Sequence, residues 1–230
     1  MNLQHLVIIP DGNRRWAKKR LLDPTTGHQK GMEKFEKLYE TIVEMKIPYF
    51  SFWGASYDNL TKRSDIEIQN LLNLFHLEFD KLLKDERVME KGIKISVIGR
   101  WKEIFPLKTQ ELINKCIEKT KDNKELSLTF LLAYNGTDEM INAIKKIKEN
   151  NLEVTEENIK NNLLTKDLPS VDFVIRTGVD EDLHNSAGFM MWDTAYSQLY
   201  FTKTLFPDFN KEELTEAINN FEKRERRYGK

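Results

Sequence analysis

The sequence predicts a single α/β domain in which a mostly parallel, six-stranded sheet is flanked by helices. Short segments rich in Val, Ile, Phe and Tyr recur along the chain, and longer segments with helical periodicity separate them. Several of the short segments are apolar almost throughout, as expected for strands buried on both faces of a parallel sheet. Strands that alternate with helices favour parallel pairing through right-handed crossovers.

Six apolar segments are assigned to strands because β-branched and aromatic residues favour the extended backbone. In chain order they are His5–Ile9, Tyr49–Trp53, Ile93–Ile98, Ser127–Ala133, Val171–Arg176 and Gln198–Thr202. The first of them ends at Pro10, which has no N–H group with which to continue a strand.

Four longer segments are assigned to helices because their apolar residues recur at intervals of three and four. In chain order they are Gly27–Lys46, Ser64–Lys84, Asp138–Glu149 and Asn210–Arg226. The last has Asn210 at the expected N-cap and Glu213 three residues later, which indicates a variant of the capping box.

The helix Ser64–Lys84 carries a wide apolar stripe that includes Phe75 and Phe79. Packing in the core accounts for such a stripe. One wall of a lipophilic cavity would show the same periodicity, so this pattern alone leaves both interpretations open.

Length and composition indicate one globular domain over residues 1–230. No linker rich in Pro, Gly or Ser divides the chain. The 36 Lys and Arg residues nearly balance 37 Asp and Glu, and a net charge of −1 argues against a nucleic-acid scaffold. The one cysteine, Cys116, excludes an internal disulfide and a multi-cysteine metal site.

No segment approaches the ~20 apolar residues of a membrane span. The chain starts with a short apolar run that lacks a preceding basic segment and a following cleavage site, so it is not a secretory signal. We therefore predict a cytoplasmic protein and leave contact with a membrane surface open.

The first polar motif, residues 10–16 (PDGNRRW), follows the first strand. In a parallel sheet this is the carboxyl end of a strand, where ligands usually bind. Gly12 permits a tight turn, and a helix that begins here would present free N–H groups to a phosphate. Arg14 and Arg15 add charged donors, and Asp11 suits the same place if Mg²⁺ bridges it to phosphates. The alternative is a capped turn with solvated arginines.

The second polar segment, residues 54–63, also follows a strand. Ser56, Asp58 and Asn59 can bind a ligand or cap the next helix, and Arg63 offers another phosphate donor.

The third polar segment begins with Arg176, which ends a strand beside Thr and Gly and has the features of an anion site. The acidic run at 180–182 follows it, and either a solvated loop or a metal site would explain this run. Residues 184–188 (HNSAG) complete the segment.

Together these segments resemble the cis-prenyltransferases of the undecaprenyl diphosphate synthase family. The matching stretches, in order, are HLVIIPDGNRRWA, GHQKG, the loop 56–63, VDFVIRTG, and WDTAYSQLYFTKTLFPDF continuing to RERRYG. The resemblance implies a parallel sheet, a hydrophobic tunnel with Ser64–Lys84 in its wall, and a homodimer. It also implies Mg²⁺-dependent condensation of isopentenyl diphosphate onto an allylic diphosphate such as farnesyl diphosphate. Peripheral membrane contact for product release is left open.

The resemblance assigns roles to single residues. Asp11 would hold Mg²⁺ and act in diphosphate departure with Arg15, and Asn59 would act in proton removal. Its substrate-binding residues are Gly12, Asn13, Arg14, Arg15, Trp16, His28, Ser56, Asp58, Arg63, Arg176, Ser186, Arg227 and Gly229.

The chain departs from the family pattern at several places. Pro24 replaces a frequent arginine, so one phosphate contact is either missing or supplied elsewhere, by Arg20 or Lys30. The loop 178–189 is longer than usual, so Ser186 or the pair His184 and Asn185 must replace an arginine-x-serine.

Gln198 stands at the family's second metal position, where an amide is a weaker Mg²⁺ ligand than a carboxylate. Either the ion relies on Asp11 and phosphates alone, or Asp180, Glu181 or Asp182 compensates.

These departures motivate a rival hypothesis, a non-catalytic partner subunit of a heteromeric prenyl synthase. A phosphate-ligand binding module is a third interpretation. The intact Asp11 and Arg15 favour the enzyme.

Overall fold

The structure, a computed structural model, describes residues 2–224, which build one fully parallel six-stranded sheet. The strands are β1 (His5–Ile9), β2 (Tyr49–Ser56), β3 (Ile93–Ile98), β4 (Leu126–Tyr134), β5 (Phe173–Arg176) and β6 (Gln198–Phe201). Their order in the sheet is β3-β4-β2-β1-β5-β6, with parallel pairing throughout. The predicted α/β fold is confirmed, and β1 lies at the centre.

Helices connect and cover these strands. They are α1 (Asn13–Lys19), α2 (Pro24–Glu44), α3 (Asp65–Lys84), α4 (Glu86–Glu90), α5 (Trp101–Ile104), α6 (Leu107–Thr120), α7 (Gly136–Glu149), α8 (Glu156–Asn162) and α9 (Lys211–Lys223). Short 3-10 helices occupy Asp58–Leu60, Ser186–Gly188 and Phe206–Asp208. None of the helices within residues 2–224 is both long and apolar enough to cross a bilayer.

Local sequence explains where the helices begin. Asp23 caps α2 by accepting a hydrogen bond from the Thr25 N–H, so α2 begins at Pro24, three residues before the predicted start. The side chain of Ser64 caps α3 in the same way. The capping box predicted for Asn210 and Glu213 is present at the start of α9.

The sheet has two apolar faces because alternate residues of each strand point to opposite sides. Leu6 and Ile8 of β1 join the larger core cluster, which contains residues of α2, α3, α6 and α9. Val7 and Ile9 join a smaller cluster with residues from the segment 168–190. This double burial explains why the strands are apolar almost throughout.

Candidate active site

A pocket of about 500 Å³ opens at the carboxyl ends of β1, β2 and β5. It combines twelve of the residues predicted from sequence: Asp11, Gly12, Asn13, Arg14, Arg15, His28, Ser56, Asp58, Asn59, Arg63, Arg176 and Ser186. Eight further residues line it: Ile9, Pro10, Trp53, Gly54, Ala55, Leu71, Asn135 and Ala187. The polar motifs converge because the carboxyl ends of parallel strands meet at one edge of the sheet.

The carboxylate of Asp11 lies between two guanidinium groups. Arg15 Nη2 is 3.0 Å from Oδ1, and Arg176 Nη2 is 3.2 Å from Oδ2. Arg176 comes from the end of β5, and its Nη1 donates to the His184 carbonyl oxygen at 2.5 Å. Its Nε is buried and has no hydrogen-bond acceptor among the described residues. This arginine is therefore fixed in place and keeps one donor unused.

A tight turn presents the first motif to the pocket. Gly12 has φ = 109°, a conformation that side chains rarely adopt, and an added Cβ would lie 2.8 Å from Leu205 Cδ2. After this turn α1 begins at Asn13, whose Nδ2 is 3.4 Å from the Pro10 carbonyl oxygen. The Oδ1 atom of Asn13 is buried without a partner among the described residues.

Glu67 organises a second charged cluster that sequence reasoning missed. Its Oε1 lies 3.0 Å from His28 Nε2, 2.8 Å from Arg63 Nη1 and 3.5 Å from Arg14 Nε. The spacing was a usable signal, because Glu67 follows Arg63 by four residues and so faces it at the start of a helix. One carboxylate thus connects Arg14 of α1, His28 of α2 and Arg63 at the end of the loop before α3.

The cluster changes the acid–base properties of its members. Burial lowers the pKa of His28, and the hydrogen bond with Glu67 opposes this only in part. Burial would raise the pKa of Glu67, but the hydrogen bond from His28 and the charges of Arg63 and Arg14 lower it overall. Burial also lowers the pKa of Arg63. The stable state near neutral pH is an ionised Glu67 beside a neutral His28.

Ser56 and Asn59 fix each other across the turn after β2. The Ser56 N–H is 3.4 Å from Asn59 Oδ1, and the Asn59 N–H donates to Ser56 Oγ at 3.1 Å. Asp58 is exposed and pairs with Lys62 at 2.8 Å. The amide of Asn59 is therefore held at the pocket wall by its own turn.

Other predicted residues lie elsewhere. The indole of Trp16 is outside the pocket lining and donates to Asp208 Oδ1 at 2.7 Å, while Arg20 stacks on its ring with 4.2 Å to the centroid. Asp208 was not identified from sequence. Arg227 and Gly229 lie outside the described residues.

Of the replacements proposed for the departures from the family pattern, Ser186 lines the pocket, whereas Arg20, Lys30, His184, Asn185 and the acidic run 180–182 do not. Arg20 pairs with Asp208, and Lys30 pairs with Glu33. In the acidic run, Asp180 pairs with Lys203 and Asp182 with His184.

Gln198 also lies away from the pocket. It pairs with Phe173 at the start of β5, whereas Arg176 at the end of β5 pairs with Phe201. Three residues of strand separate the two pairs, which corresponds to roughly 10 Å. The Oε1 atom of Gln198 is 3.3 Å from Arg224 Nη1. Within the described part of the chain, Gln198 and Asp11 do not form a joint metal site.

An apolar passage continues from the pocket between α2, α3 and the sheet. It shares Pro10, Asn13, His28, Gly54 and Leu71 with the pocket. Its deeper lining consists of Gly31, Met32, Phe52, Leu74, Phe75 and Phe206. Its free volume is about 30 Å³, little more than one water molecule needs. The α3 stripe thus both packs in the core and borders a narrow passage.

The donor set fits a magnesium ion that is shared with a phosphate ligand. Within residues 2–224 no three His, Cys, Asp or Glu side chains form a metal-binding group. Asp11 is a single, partly exposed carboxylate beside the guanidinium groups of Arg15 and Arg176, which can donate hydrogen bonds to a phosphate. Mg²⁺ commonly takes one or two carboxylates, with substrate phosphates and water as its other ligands. Asp11 is therefore the residue that would hold it.

Comparisons with known proteins agree with this geometry. A family model described as undecaprenyl diphosphate synthase matches residues 9–229. The isoprenyl transferase of Rickettsia bellii is 37% identical over 230 residues, covering 100% of this chain and 99% of that protein. The tritrans,polycis-undecaprenyl-diphosphate synthase (geranylgeranyl-diphosphate specific) of Pyrococcus furiosus is 37% identical over 234 residues, covering 99% and 87%.

Among solved structures, lavandulyl diphosphate synthase from Lavandula x intermedia, in complex with dimethylallyl diphosphate, superimposes with a TM-score of 0.91. It is 26% identical in sequence, and the match covers 99% of this chain and 98% of that one. Family model, relatives and fold all indicate the same transferase class. The chain belongs to the undecaprenyl diphosphate synthase family of prenyltransferases.

Proposed function

We propose that the protein is a Mg²⁺-dependent cis-prenyltransferase that condenses isopentenyl diphosphate with an allylic diphosphate, such as farnesyl diphosphate. The observation that carries this proposal is one pocket with an arginine-rich mouth and an apolar passage behind it. A diphosphate suits the mouth, and a hydrocarbon chain suits the passage. The product is a cis-polyprenyl diphosphate, the precursor of a lipid carrier.

The reaction exchanges one bond for another. The allylic C1–O bond breaks, and inorganic diphosphate leaves with the electron pair. The double bond of isopentenyl diphosphate attacks C1 through its C4, and a proton leaves its C2 to form the new double bond. The protein must stabilise the leaving group, hold the second diphosphate and protect the cationic carbon from water.

The residues around Asp11 suit the departure of the allylic diphosphate. Arg15 presents a donor where negative charge increases on the leaving group, and Arg176 is assigned to the isopentenyl diphosphate. A bound Mg²⁺ would supply Lewis-acid stabilisation of the same oxygens. Gly12 allows backbone to approach the phosphates closely. Asp11, Arg15 and Asn59 are proposed as the catalytic residues.

The second polar region suits orientation of the substrates. Asn59 and Ser56 hold a fixed amide and hydroxyl at the pocket wall. Because an amide is a poor base, Asn59 would act in proton removal by orienting the substrate that it contacts, and a phosphate oxygen is the better acceptor for the C2 proton. Arg63, held by Glu67, adds a cation to this wall, and His28 beside it offers a neutral imidazole.

The apolar residues behind the mouth suit the hydrocarbon. Phe52, Phe75 and Phe206 exclude water from the region below the diphosphates. Because the free passage is narrow, elongation requires these rings or α2 and α3 to shift. The family resemblance also leads us to propose a homodimer in which Arg227 and Gly229 reach a phosphate of the partner.

The test is incorporation of radiolabelled isopentenyl diphosphate by purified protein with Mg²⁺. Dimethylallyl, geranyl, farnesyl and geranylgeranyl diphosphates are supplied separately, and the products are sized. A Mg²⁺-dependent ladder of prenyl products is expected. The same experiment identifies the allylic primer and the length of the product. Asp11→Asn should abolish it in folded protein, whereas Asp167→Asn, an exposed residue outside the pocket, should not.

Two results would overturn the proposal. Failure of the folded wild-type protein to incorporate label with any primer would favour the non-catalytic partner subunit. Retention of activity by Asp11→Asn would remove the role assigned to this carboxylate.

A further inference from the structure

We propose that the segment joining α1 to α2 docks the protein on an anionic phospholipid surface. This segment exposes Leu21 at 96% and Leu22 at 43%. Together with Pro24 these leucines form the apolar side of a groove of about 490 Å³. Its basic side consists of Arg14, Arg15 and Lys18. Residues 18–24 are called the docking loop below.

The backbone at Leu21 shows that this leucine does not serve the fold. Its φ is 56°, in the left-handed region that favours glycine and disfavours a branched side chain. Its side chain is almost fully exposed, so no packing contact compensates for that conformation. Glycine or asparagine would form the same turn more easily. The leucine therefore suits a contact with another molecule.

Charge complementarity selects the partner. Five of the twelve residues 13–24 are Lys or Arg and one is acidic, although the whole chain has a net charge of −1. Lys18 and Lys19 are exposed and form no ion pair within the described residues. The acidic residue, Asp23, is engaged in capping α2. Basic clusters of this kind are attracted to anionic lipid headgroups.

A third apolar side chain lies on the same side of the molecule. Ile66 is 76% exposed and stands one helical turn before Asn70 on α3. The Asn70 side-chain amide donates to Thr25 Oγ1 at 2.8 Å, which fixes this part of α3 beside the start of α2. Ile66 therefore lies on the same side of the molecule as the docking loop, although its neighbours Asp65 and Glu67 are acidic.

The residue types of this surface favour a bilayer over a protein partner. A stable protein interface buries about 800 Å² on each partner, usually around aromatic anchors. A few leucines with lysines suit shallow insertion between headgroups, where each apolar residue contributes independently. Arg14 and Arg15 border both the groove and the pocket, so docking would place the pocket mouth near the lipid surface.

Vesicle co-sedimentation of the full chain tests this inference without turnover, so it is independent of the proposed transferase activity. Vesicles of equal parts phosphatidylcholine and phosphatidylglycerol are compared with pure phosphatidylcholine. Wild-type protein should bind the anionic vesicles only. Leu21→Gly, which suits the positive φ, and Leu22→Gln should each weaken binding by roughly tenfold. Leu107→Gln is the matched control, because Leu107 is 75% exposed on α6.

Thermal melting of Leu21→Gly should show a midpoint at or above that of the wild type, which separates docking from folding. Absence of wild-type binding to anionic vesicles would overturn the proposal. Two results would overturn the assignment to the docking loop. One is equal vesicle binding by Leu21→Gly and wild type, and the other is a loss of vesicle binding in Leu107→Gln as large as in the docking-loop variants. Self-association that these leucine variants abolish, without vesicle binding, would identify a second copy as the occupant instead.

Discussion

Asn13 lies so close to Gly31 that a Cβ on Gly31 would come within 3.0 Å of the Asn13 Oδ1 atom. A Cβ on Gly27, one turn earlier on α2, would in the same way clash with the backbone carbonyl oxygen of Asn13. The two glycines allow α2 to pack directly against the first residue of α1. The position of the turn before α1 therefore depends on the absence of side chains at Gly27 and Gly31.

Gly31→Ala and Gly27→Ala should separate an effect on activity from an effect on stability. In Gly31→Ala only the end of the Asn13 side chain must move, so kcat/KM should fall while the melting midpoint changes little. In Gly27→Ala the backbone must move, so the free energy of unfolding should fall by about 1–3 kcal/mol. Denaturant unfolding measures the free energy of unfolding, and the incorporation assay measures kcat/KM. Equal destabilisation of the two variants would contradict this explanation.

Glu67→Gln should alter the titration of His28. The hydrogen bond with Glu67 raises the pKa of His28 against the dominant effect of burial, so its loss should lower that pKa further. Histidine NMR signals followed over pH measure the change directly. Glu103→Gln is the control, because Glu103 pairs with Arg100 and lies outside the pocket lining. An unchanged His28 titration in Glu67→Gln would show that the contact is absent in solution.

Phe75→Leu should lengthen the prenyl product. The Phe75 ring borders the narrow passage, and a Cβ on Gly54 would lie 2.9 Å from its Cε1 atom. A smaller side chain should admit at least one more isoprene unit, visible as a shift of the product ladder. Phe221→Leu, a comparable core change on α9, should leave the ladder unchanged. Identical ladders from wild type and Phe75→Leu would place the length limit elsewhere.

Glu78→Gln should remove a pH dependence of stability. Burial and the neighbouring Glu36 carboxyl raise the pKa of Glu78 from 4.5 to about 8. The folded state therefore keeps this proton where the unfolded state has released it, so stability falls as pH rises from 4.5 towards 8. A shift of this size corresponds to on the order of 5 kcal/mol.

Glutamine stays neutral, so the unfolding free energy of Glu78→Gln should change less over this range. Urea unfolding at pH 5 and at pH 8 supplies the comparison, with Glu118→Gln as a surface control. Parallel pH profiles for wild type and Glu78→Gln would show that Glu78 is ionised in the folded protein.

Much of the fold could be predicted because burial on both faces makes each strand an apolar run. The predicted starts of β1, β2, β3 and β6 agree with the structure to the residue. The helix α6 was not predicted, although its buried residues Leu112, Ile113 and Cys116 recur at helical intervals. The helix start set by the Asp23 cap was also missed, whereas the one set by Asn210 was predicted.

The site was predictable where polar residues directly follow strands, as Asp11 and Arg176 do. Partners distant in sequence were not, because nothing local to His28 indicates Glu67, and nothing near Trp16 indicates Asp208. The position of Gln198 depends on strand register, which fixes it at the far end of β5 from Arg176. Contacts between residues distant in sequence, and the register of paired strands, are set by the folded chain and cannot be predicted from a short stretch of sequence.

The central place of β1 has a consequence for synthesis of the protein. The ribosome makes β1 first, but one of its two neighbours, β5, ends only at Arg176. During translation one edge of β1 therefore stays unpaired until more than three quarters of the chain exists. An apolar strand in that condition is prone to aggregate. The nascent chain should accordingly depend on chaperones, and a truncation before residue 173 should be insoluble.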